Sequence, residues 1–327
     1  MLRGPTARCC SHTALLAATL PFPLPSALAL DARLTQGSPF ERNAYEALQG
    51  SPLQLFAPCC YRAVNRGAQT LLYMEDLTAA YAEPCVMDVK MGTRTFQEKE
   101  ADNPKRRLDL VEKMRKVDAS ALTADEHKHG VTKLRYMQFR EALSSSATHG
   151  WRIEGMHVSG HGKVEIAKTM REHGALLAAL SQFVQGQART ARQLEGQLCA
   201  LRDALQSSTW FMQHEVLSPS GCTRSNQALH TPVQLLACIS TSRHVPPSHA
   251  QVVSSSLLVV YDAATPPMAA PGIWMIDFAH VNPLPTVGTM LTHRDAWQKG
   301  NHEEGYLFGL DNLLATFDEL SGILEKF

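Results

Sequence analysis

The sequence predicts an α+β fold, and three observations predict it. Pro84-Cys85-Val86-Met87-Asp88-Val89-Lys90-Met91-Gly92 reads as a short buried strand that carries charge. Trp274-Met275-Ile276-Asp277-Phe278-Ala279-His280 reads the same way far downstream. Apolar residues recur at helical spacing in Leu194, Leu198, Leu201 and Leu205, and again in Tyr306, Leu310, Leu313, Phe317, Leu320 and Leu324. A chain of 327 residues, 44% hydrophobic, is long enough and apolar enough for a packed core. Lys+Arg and Asp+Glu are both 31, so no global field favours nucleic acid or a membrane surface, and any anion site must be local. The eight cysteines include the adjacent pairs Cys9-Cys10 and Cys59-Cys60 and no Cys-x-x-Cys. That is neither a zinc pattern nor a compact disulfide framework, and the expectation is a reducing, intracellular compartment.

The two charged strands carry the chemistry. A charge in an apolar strand is costly unless it is paired or binds an ion. Asp88 and Lys90 are two apart, so in a strand they share one face. Phosphoryl transfer uses such a set: a lysine on the phosphates, an aspartate on Mg²⁺ and a carboxylate near the attacking hydroxyl. A buried structural ion pair would use the same residues. On these strands alone both readings stay open.

The motifs extend further. Pro-x-x-x-Asp-x-Lys-x-Gly (Pro84 to Gly92) continues through Thr93-Arg94-Thr95-Phe96. Lys133 to Glu141, Ser-Ser-Leu-Leu (Ser255 to Leu258), Ile-Asp-Phe-Ala (Ile276 to Ala279) and His293 to Asn312 follow in order. In these stretches the chain resembles the inositol polyphosphate kinases from about Pro39 to Phe327, and within them it is most similar to the inositol-trisphosphate 3-kinases. The resemblance implies a two-lobed kinase-like fold with a helical substrate-binding insert. It implies ATP and Mg²⁺, and transfer of phosphate to the 3-hydroxyl of inositol 1,4,5-trisphosphate to give the 1,3,4,5-tetrakisphosphate, in inositol phosphate and calcium signalling. Lys90 would contact the transferred phosphate and the substrate, Asp277 would hold Mg²⁺, and Ser256 would lie near the ATP phosphates. Asp88 is the carboxylate expected near the attacking hydroxyl. Arg94, Lys133, Tyr136 and Arg140 would hold substrate phosphates. Two other functions remain: a multikinase-like activity of broader inositol phosphate range, and a catalytically dead inositol-phosphate-binding protein.

In chain order, residues 1–38 read as a disordered or atypical N-terminus. Arg3, Arg8 and the apolar run Ala14 to Leu30 have the outline of a secretory signal, but Pro21, Pro23 and Pro25 leave the run too broken to span a membrane. The family's segment before Pro39 supplies a β-hairpin and an early lysine. No candidate hairpin is found, and no lysine precedes Lys90. The N-terminal lobe is therefore expected to be truncated, and the catalytic domain to run over 39–327. Phe40 to Gln49 reads as a helix with Ala44, Ala47 and Leu48 on one face. Thr70 to Met74 is a short strand, and the resemblance makes Glu75-Asp76-Leu77 the hinge, with Glu75 and Leu77 at the adenine.

Residues 105–140 form the expected insert. Lys105 to Val117 reads as a basic amphipathic helix with Leu110, Met114 and Val117 on its apolar side. Thr123-Ala124-Asp125-Glu126 has the form of a capping box. Lys133, Tyr136 and Arg140 are three and four apart, so on a helix they share a face. Ser159-Gly160-His161-Gly162-Lys163 lacks the full phosphate-loop spacing and reads as a surface turn. Leu217 to Gln251, rich in Ser, Pro, His and Thr, reads as a loop or disorder. Deleting 216–251 restores the family's His-Glu-Val to Ser-Ser-Leu-Leu spacing, as expected of a retained intron or an isoform-specific loop. Ser256 to Tyr261 and Gly272 to Phe278 should pair as a hairpin. On the last helix, Asp311-Asn312 should make a structural bond. The expected partners are ATP and the trisphosphate, with no nucleic acid, no membrane span and no recognisable calmodulin region. The expected state is a monomer in the cytoplasm or nucleus.

Overall fold

The computed structural model describes residues 32–67, 69–217, 255–278, 281–284 and 290–326. An antiparallel sheet opens the described chain, with β1 (Ala32–Gly37), β2 (Cys60–Arg66) and β3 (Gln69–Glu75) in the order β1-β3-β2. This sheet adds one strand ahead of Pro39 to the lobe expected to be truncated, and no hairpin precedes Pro39 among the described residues. β1 lies inside the segment read as an atypical terminus. Ala-Arg-Leu-Thr-Gln-Gly is short, and its period is weak because it is an edge strand with one face in solvent. Helix α1 (Pro39–Leu48) follows, capped by the Ser38 hydroxyl, which accepts the Glu41 N–H at 3.1 Å. Ala44, Tyr45 and Leu48 are its buried residues, whereas Ala47 faces out.

The second lobe is built on a five-stranded antiparallel sheet in the order β11-β10-β4-β7-β8. Its strands are β4 (Pro84–Met91), β7 (Trp151–Val158), β8 (Gly162–Val164), β10 (Ser256–Asp262) and β11 (Gly272–Ile276). On one face Cys85, Met87, Val89, Leu257, Val259, Ile273 and Met275 enter the main core. Helices α6 (His173–Phe183), α7 (Ala188–Ser207) and α9 (Tyr306–Leu324) contribute to that core. Leu194, Leu198, Leu201, Leu205, Leu310, Leu313 and Phe317 are fully buried there, as their period required. Ser159-Gly160-His161 is the turn between β7 and β8. α8 (Thr209–Met212) leads to β9 (His214–Val216), which pairs with β12 (Val281–Pro283). Asp311 pairs with Arg294 at 2.8 Å and Asn312 donates to the His149 carbonyl at 3.1 Å, both structural bonds. No helix among the described residues is long and apolar enough to cross a membrane.

The insert has a hydrophobic cluster of its own, formed by Phe96, Leu110, Val111, Met114, Leu122, Val131, Tyr136, Met137 and Phe139. Its elements are β5 (Arg106–Arg107), α2 (Leu108–Arg115), α3 (Ala124–His129), β6 (Val131–Thr132) and α4 (Lys133–Ala142); α5 (Ser146–His149) leads out of it. The basic helix expected over Lys105 to Val117 is thus shorter, because Arg106 and Arg107 pair with β6. Val117 lies beyond the helix and is exposed. The Thr123 capping box is present: its hydroxyl accepts the Glu126 N–H at 3.1 Å, and the Glu126 carboxylate accepts the Thr123 N–H at 2.8 Å. Most of the segment expected to be inserted, from 218 onward, lies outside the described residues. Val216 and Leu217, which precede it, are buried.

Candidate active site

The strands place the charges. β4 pairs antiparallel with β10, with Val86 opposite Val260, Asp88 opposite Leu258 and Lys90 opposite Ser256. Ser256 in turn lies opposite Ile276 on β11. Residues opposite one another share a face, so Val86, Asp88, Lys90, Ser256, Leu258, Val260, Trp274 and Ile276 line the side away from the main core. The expected hairpin of β10 and β11 is therefore present.

This face divides into an apolar and a polar half. Leu77, Val86, Leu258, Val260 and Ile276 form a separate apolar cluster, with Tyr81 and Trp274 packed on it. The hinge borders the apolar half. Glu75 ends β3, and its carboxylate accepts the Cys59 N–H at 3.0 Å. Asp76 is held by the Arg33 guanidinium at 2.5 Å. Toward the other end of the strands Lys90 donates to the Ser256 hydroxyl at 2.6 Å and stands 3.9 Å from Asp88 and 3.8 Å from Asp277. Asp88 and Lys90 are almost fully buried. Asp88 Oδ1 is buried with no hydrogen-bond partner among the described residues. Burial raises the Asp88 carboxyl above its ordinary range, with Lys90 acting against that and Glu154 with it. Asp277 adopts φ 63°, a left-handed conformation uncommon outside glycine, immediately after β11. Gly92 is required where the strand ends: at φ 95° an added Cβ would lie 2.9 Å from the Glu304 carbonyl oxygen.

Several residues of this site were not singled out in the sequence. β7 carries an irregularity opposite Asp88 and Val89, which pair with Gly155 and Ile153 and leave Glu154 as the extra residue. Such a bulge re-aims side chains. Arg152 lies opposite Lys90, bonds Glu154 at 3.2 Å and donates to the Ser146 hydroxyl at 2.9 Å. Lys168 reaches Glu154 at 3.4 Å. Burial works against ionisation of Glu154, but Arg152, Lys168 and Lys90 outweigh it and bring the carboxyl down to about 2. Arg152-Ile153-Glu154 repeats the Asp88-Val89-Lys90 signal of two charges flanking an apolar strand residue, so the same rule would have found it.

Glu41 gave no such signal. α1 packs over Asp277-Phe278, with Tyr45 edge-on to Phe278 at 5.0 Å between ring centroids. Burial pushes Glu41 up to about 8, the charge of Asp277 adds to this, and the Ser38 contact opposes it. No described basic side chain forms an ion pair with Glu41. The absent early lysine thus has a structural counterpart, a carboxyl with no cation paired to it among the described residues.

The expected substrate residues divide. Lys133, Tyr136 and Arg140 share a face of α4, where Arg140 donates to the Tyr136 hydroxyl at 3.2 Å and Lys133 to Glu100 at 2.8 Å. Arg94 does not join them. Its buried guanidinium donates to the carbonyls of Glu303, Phe96 and His302 at 2.9 Å each and to Glu215 at 2.5 Å. The ligand atoms of Glu98, Glu215 and His302 lie within 4.8 Å of one another. Arg94, which bonds Glu215 and stands 3.7 Å from Glu98, supplies the positive charge there.

A small strand-rich lobe, a hinge, and a larger lobe with an apolar wall running into a lysine–aspartate row define a two-lobed kinase-like protein. A model of the inositol polyphosphate kinase family matches residues 71–318, well over half of the chain, and the chain belongs to that family. Human inositol-trisphosphate 3-kinase A is 35% identical over 286 residues, covering 86% of this chain and 53% of that protein. Mouse inositol-trisphosphate 3-kinase C is 37% identical over 287 residues, covering 86% and 36%. The Caenorhabditis elegans homolog is 34% identical over 286 residues, covering 86% and 49%. The chain therefore spans about half the length, or less, of these curated relatives. The solved structure of the inositol phosphate multikinase from S. cerevisiae matches with a TM-score of 0.52 at 14% identity, covering 88% of this chain and 98% of that one, and supports the fold.

Proposed function

We propose that this chain transfers the γ-phosphoryl group of ATP to the 3-hydroxyl of inositol 1,4,5-trisphosphate. The observation that carries the reading is the row Lys90, Ser256 and Asp277 at the polar end of an apolar wall, with the unpartnered Asp88 oxygen beside it. The relatives named inositol-trisphosphate 3-kinases support the choice of substrate. The wall of Leu77, Val86, Leu258, Val260 and Ile276 suits a flat heterocycle, and the hinge beside it offers backbone groups. Lys90 neutralises the transferred phosphate. Asp88, whose carboxyl burial raises above its ordinary range, takes the proton of the attacking hydroxyl. Lys133, Tyr136 and Arg140 orient the substrate through its phosphates.

The yeast multikinase structure contains ADP and Mn²⁺. In this chain Asp277, whose carboxylate stands 3.8 Å from Lys90, offers the oxygen ligands that suit a hard divalent cation such as Mg²⁺ or Mn²⁺. Such an ion neutralises charge on the phosphates when bound.

A second reading is favoured by one observation. Without the early lysine, Glu41 has no ion-pair partner among the described residues, which suits a protein that binds inositol phosphate and does not turn it over. Purified full-length protein assayed with ATP and inositol 1,4,5-trisphosphate decides between them. Tetrakisphosphate formation that Asp277→Asn abolishes supports the kinase. Tight substrate binding without product selects the binding protein.

A further inference from the structure

The insert holds a carboxylate where a substrate phosphate would be expected. Lys133 opens α4, so its charge adds to the positive end of the helix, an arrangement that attracts anions. Its ammonium is already engaged, donating to Glu100 Oε1 at 2.8 Å. The lysine side chain is 32% exposed and the glutamate 13%, so the glutamate is the inner partner. Its other oxygen, Oε2, accepts from Asn103 at 3.4 Å.

Glu100 is presented by a fixed support. It ends the short turn Glu98–Glu100, and its N–H donates to the Gln97 carbonyl at 2.9 Å. Glu98, at the other end of that turn, accepts from the Trp297 indole at 2.8 Å and from the Gly300 N–H at 2.5 Å. Trp297 packs edge-on against Phe96 at 4.8 Å. A turn tied down by a distant loop does not swing freely, so the carboxylate remains near the phosphate-binding face of α4 after its lysine is taken.

We propose that Glu100 is a specificity-determining residue: it occupies Lys133 in the free protein as a stand-in for a substrate phosphate, and it limits how much negative charge the pocket accepts. The proposal rests on the reading of the chain as an inositol phosphate kinase. An incoming phosphate must displace the carboxylate from Lys133 and then sit beside it. One phosphate overcomes this, because it carries more charge than a carboxylate and more acceptor oxygens. Every further phosphate brought to the same end of α4 meets the retained carboxylate as a like charge, so the cost rises with phosphate number.

Calorimetric titration of the full-length protein with inositol 1,4,5-trisphosphate and with an inositol tetrakisphosphate tests this. Glu100→Gln is expected to lower Kd for the trisphosphate about fivefold, the upper range for a partly exposed ion pair, and to lower it more for the tetrakisphosphate. Glu100→Asp, which keeps the charge but withdraws it from Lys133, should give a smaller gain in the same direction. In a Lys133→Gln background the gain from Glu100→Gln should shrink to less than twofold. A residue that merely braced the turn would weaken binding when replaced. Unchanged or weaker binding by Glu100→Gln, with the wild type binding normally, overturns the proposal alone. No binding of either compound by wild type or variant overturns the functional reading as well.

Discussion

Lys90 and Arg94 stand on either side of the Gly92 turn, both buried and both among carboxylates, and they are held in opposite ways. Arg94 is saturated. Its donors meet three backbone carbonyls and Glu215, and these acceptors tie the strand end to the loop at 302–303 and to β9. Around Lys90 the geometry is looser. The lysine bonds Ser256 closely, its two carboxylates stand 3.8 and 3.9 Å away, and Asp88 keeps one buried oxygen with no partner among the described residues. A buried polar group left unsatisfied costs roughly 1–3 kcal/mol, and such a cost persists where a ligand relieves it. The lesson is that a buried charge alone does not mark a site, whereas open hydrogen-bonding capacity beside it does.

The largest test of this contrast is at Asp277. Asp277→Asn keeps the shape and removes the charge beside Lys90. Turnover is expected to fall about a thousandfold, roughly 4 kcal/mol in the barrier, with little change in the urea unfolding midpoint. Next comes Arg94→Met, which leaves Glu215 buried without its cation. Stability should fall by about 3 kcal/mol or more, read by urea unfolding. Substrate Kd should stay near wild type at temperatures where the protein remains folded. If Arg94→Met instead loses substrate affinity while keeping its stability, the division between the two clusters is wrong.

A smaller effect comes from Glu41. Its carboxyl is raised from 4.5 to about 8 by burial and by Asp277. A group whose pKa is raised on folding stabilises the native state at low pH, and that contribution is lost as pH rises through the folded value. Stability should therefore decline between about pH 5 and 8, and Glu41→Gln should abolish that decline. The variant should be more stable than wild type at pH 8 by on the order of 2 kcal/mol, measured by unfolding at several pH values. Saturating divalent cation should narrow the difference if Glu41 lies in the cation's field.

What was legible in the sequence follows from locality. Asp88-Val89-Lys90 shares a face because strands have a period of two, and the Thr123 capping box and the leucine stripes are likewise contained within one element. The role of Arg94 was not legible. Its motif neighbours suggested substrate, whereas its fate depends on Glu215, His302 and Glu303, more than a hundred residues away. The bulge at Glu154 was equally hidden, since register between β4 and β7 is a property of the pair. Glu41 belongs to a helix whose apolar face was read well enough, but nothing local says that Asp277 lies over it. β1 was missed because six residues of an edge strand carry almost no period.

The smallest expected effect asks whether the insert and the sheet are coupled at all. Thr123 and Glu126 close the start of α3, and Glu126 also accepts from Arg135 on α4 at 3.0 Å. Losing an N-cap of this kind costs about 1 kcal/mol. The insert has a hydrophobic cluster separate from the main core, so Thr123→Ala should loosen α3 and α4 without loosening β4 or β10. Amide exchange should quicken by roughly fivefold in 124–142 and stay unchanged in 84–91 and 256–262. On the proposed function, KM for the inositol phosphate should then rise while KM for ATP holds, since that reading assigns one substrate to the α4 face and the other to the apolar wall. Exchange that quickens equally in β4 would mean that the Thr95–Glu141 bonds at 2.6–2.7 Å, which join the loop after β4 to the end of α4, bind insert and sheet into one cooperative unit.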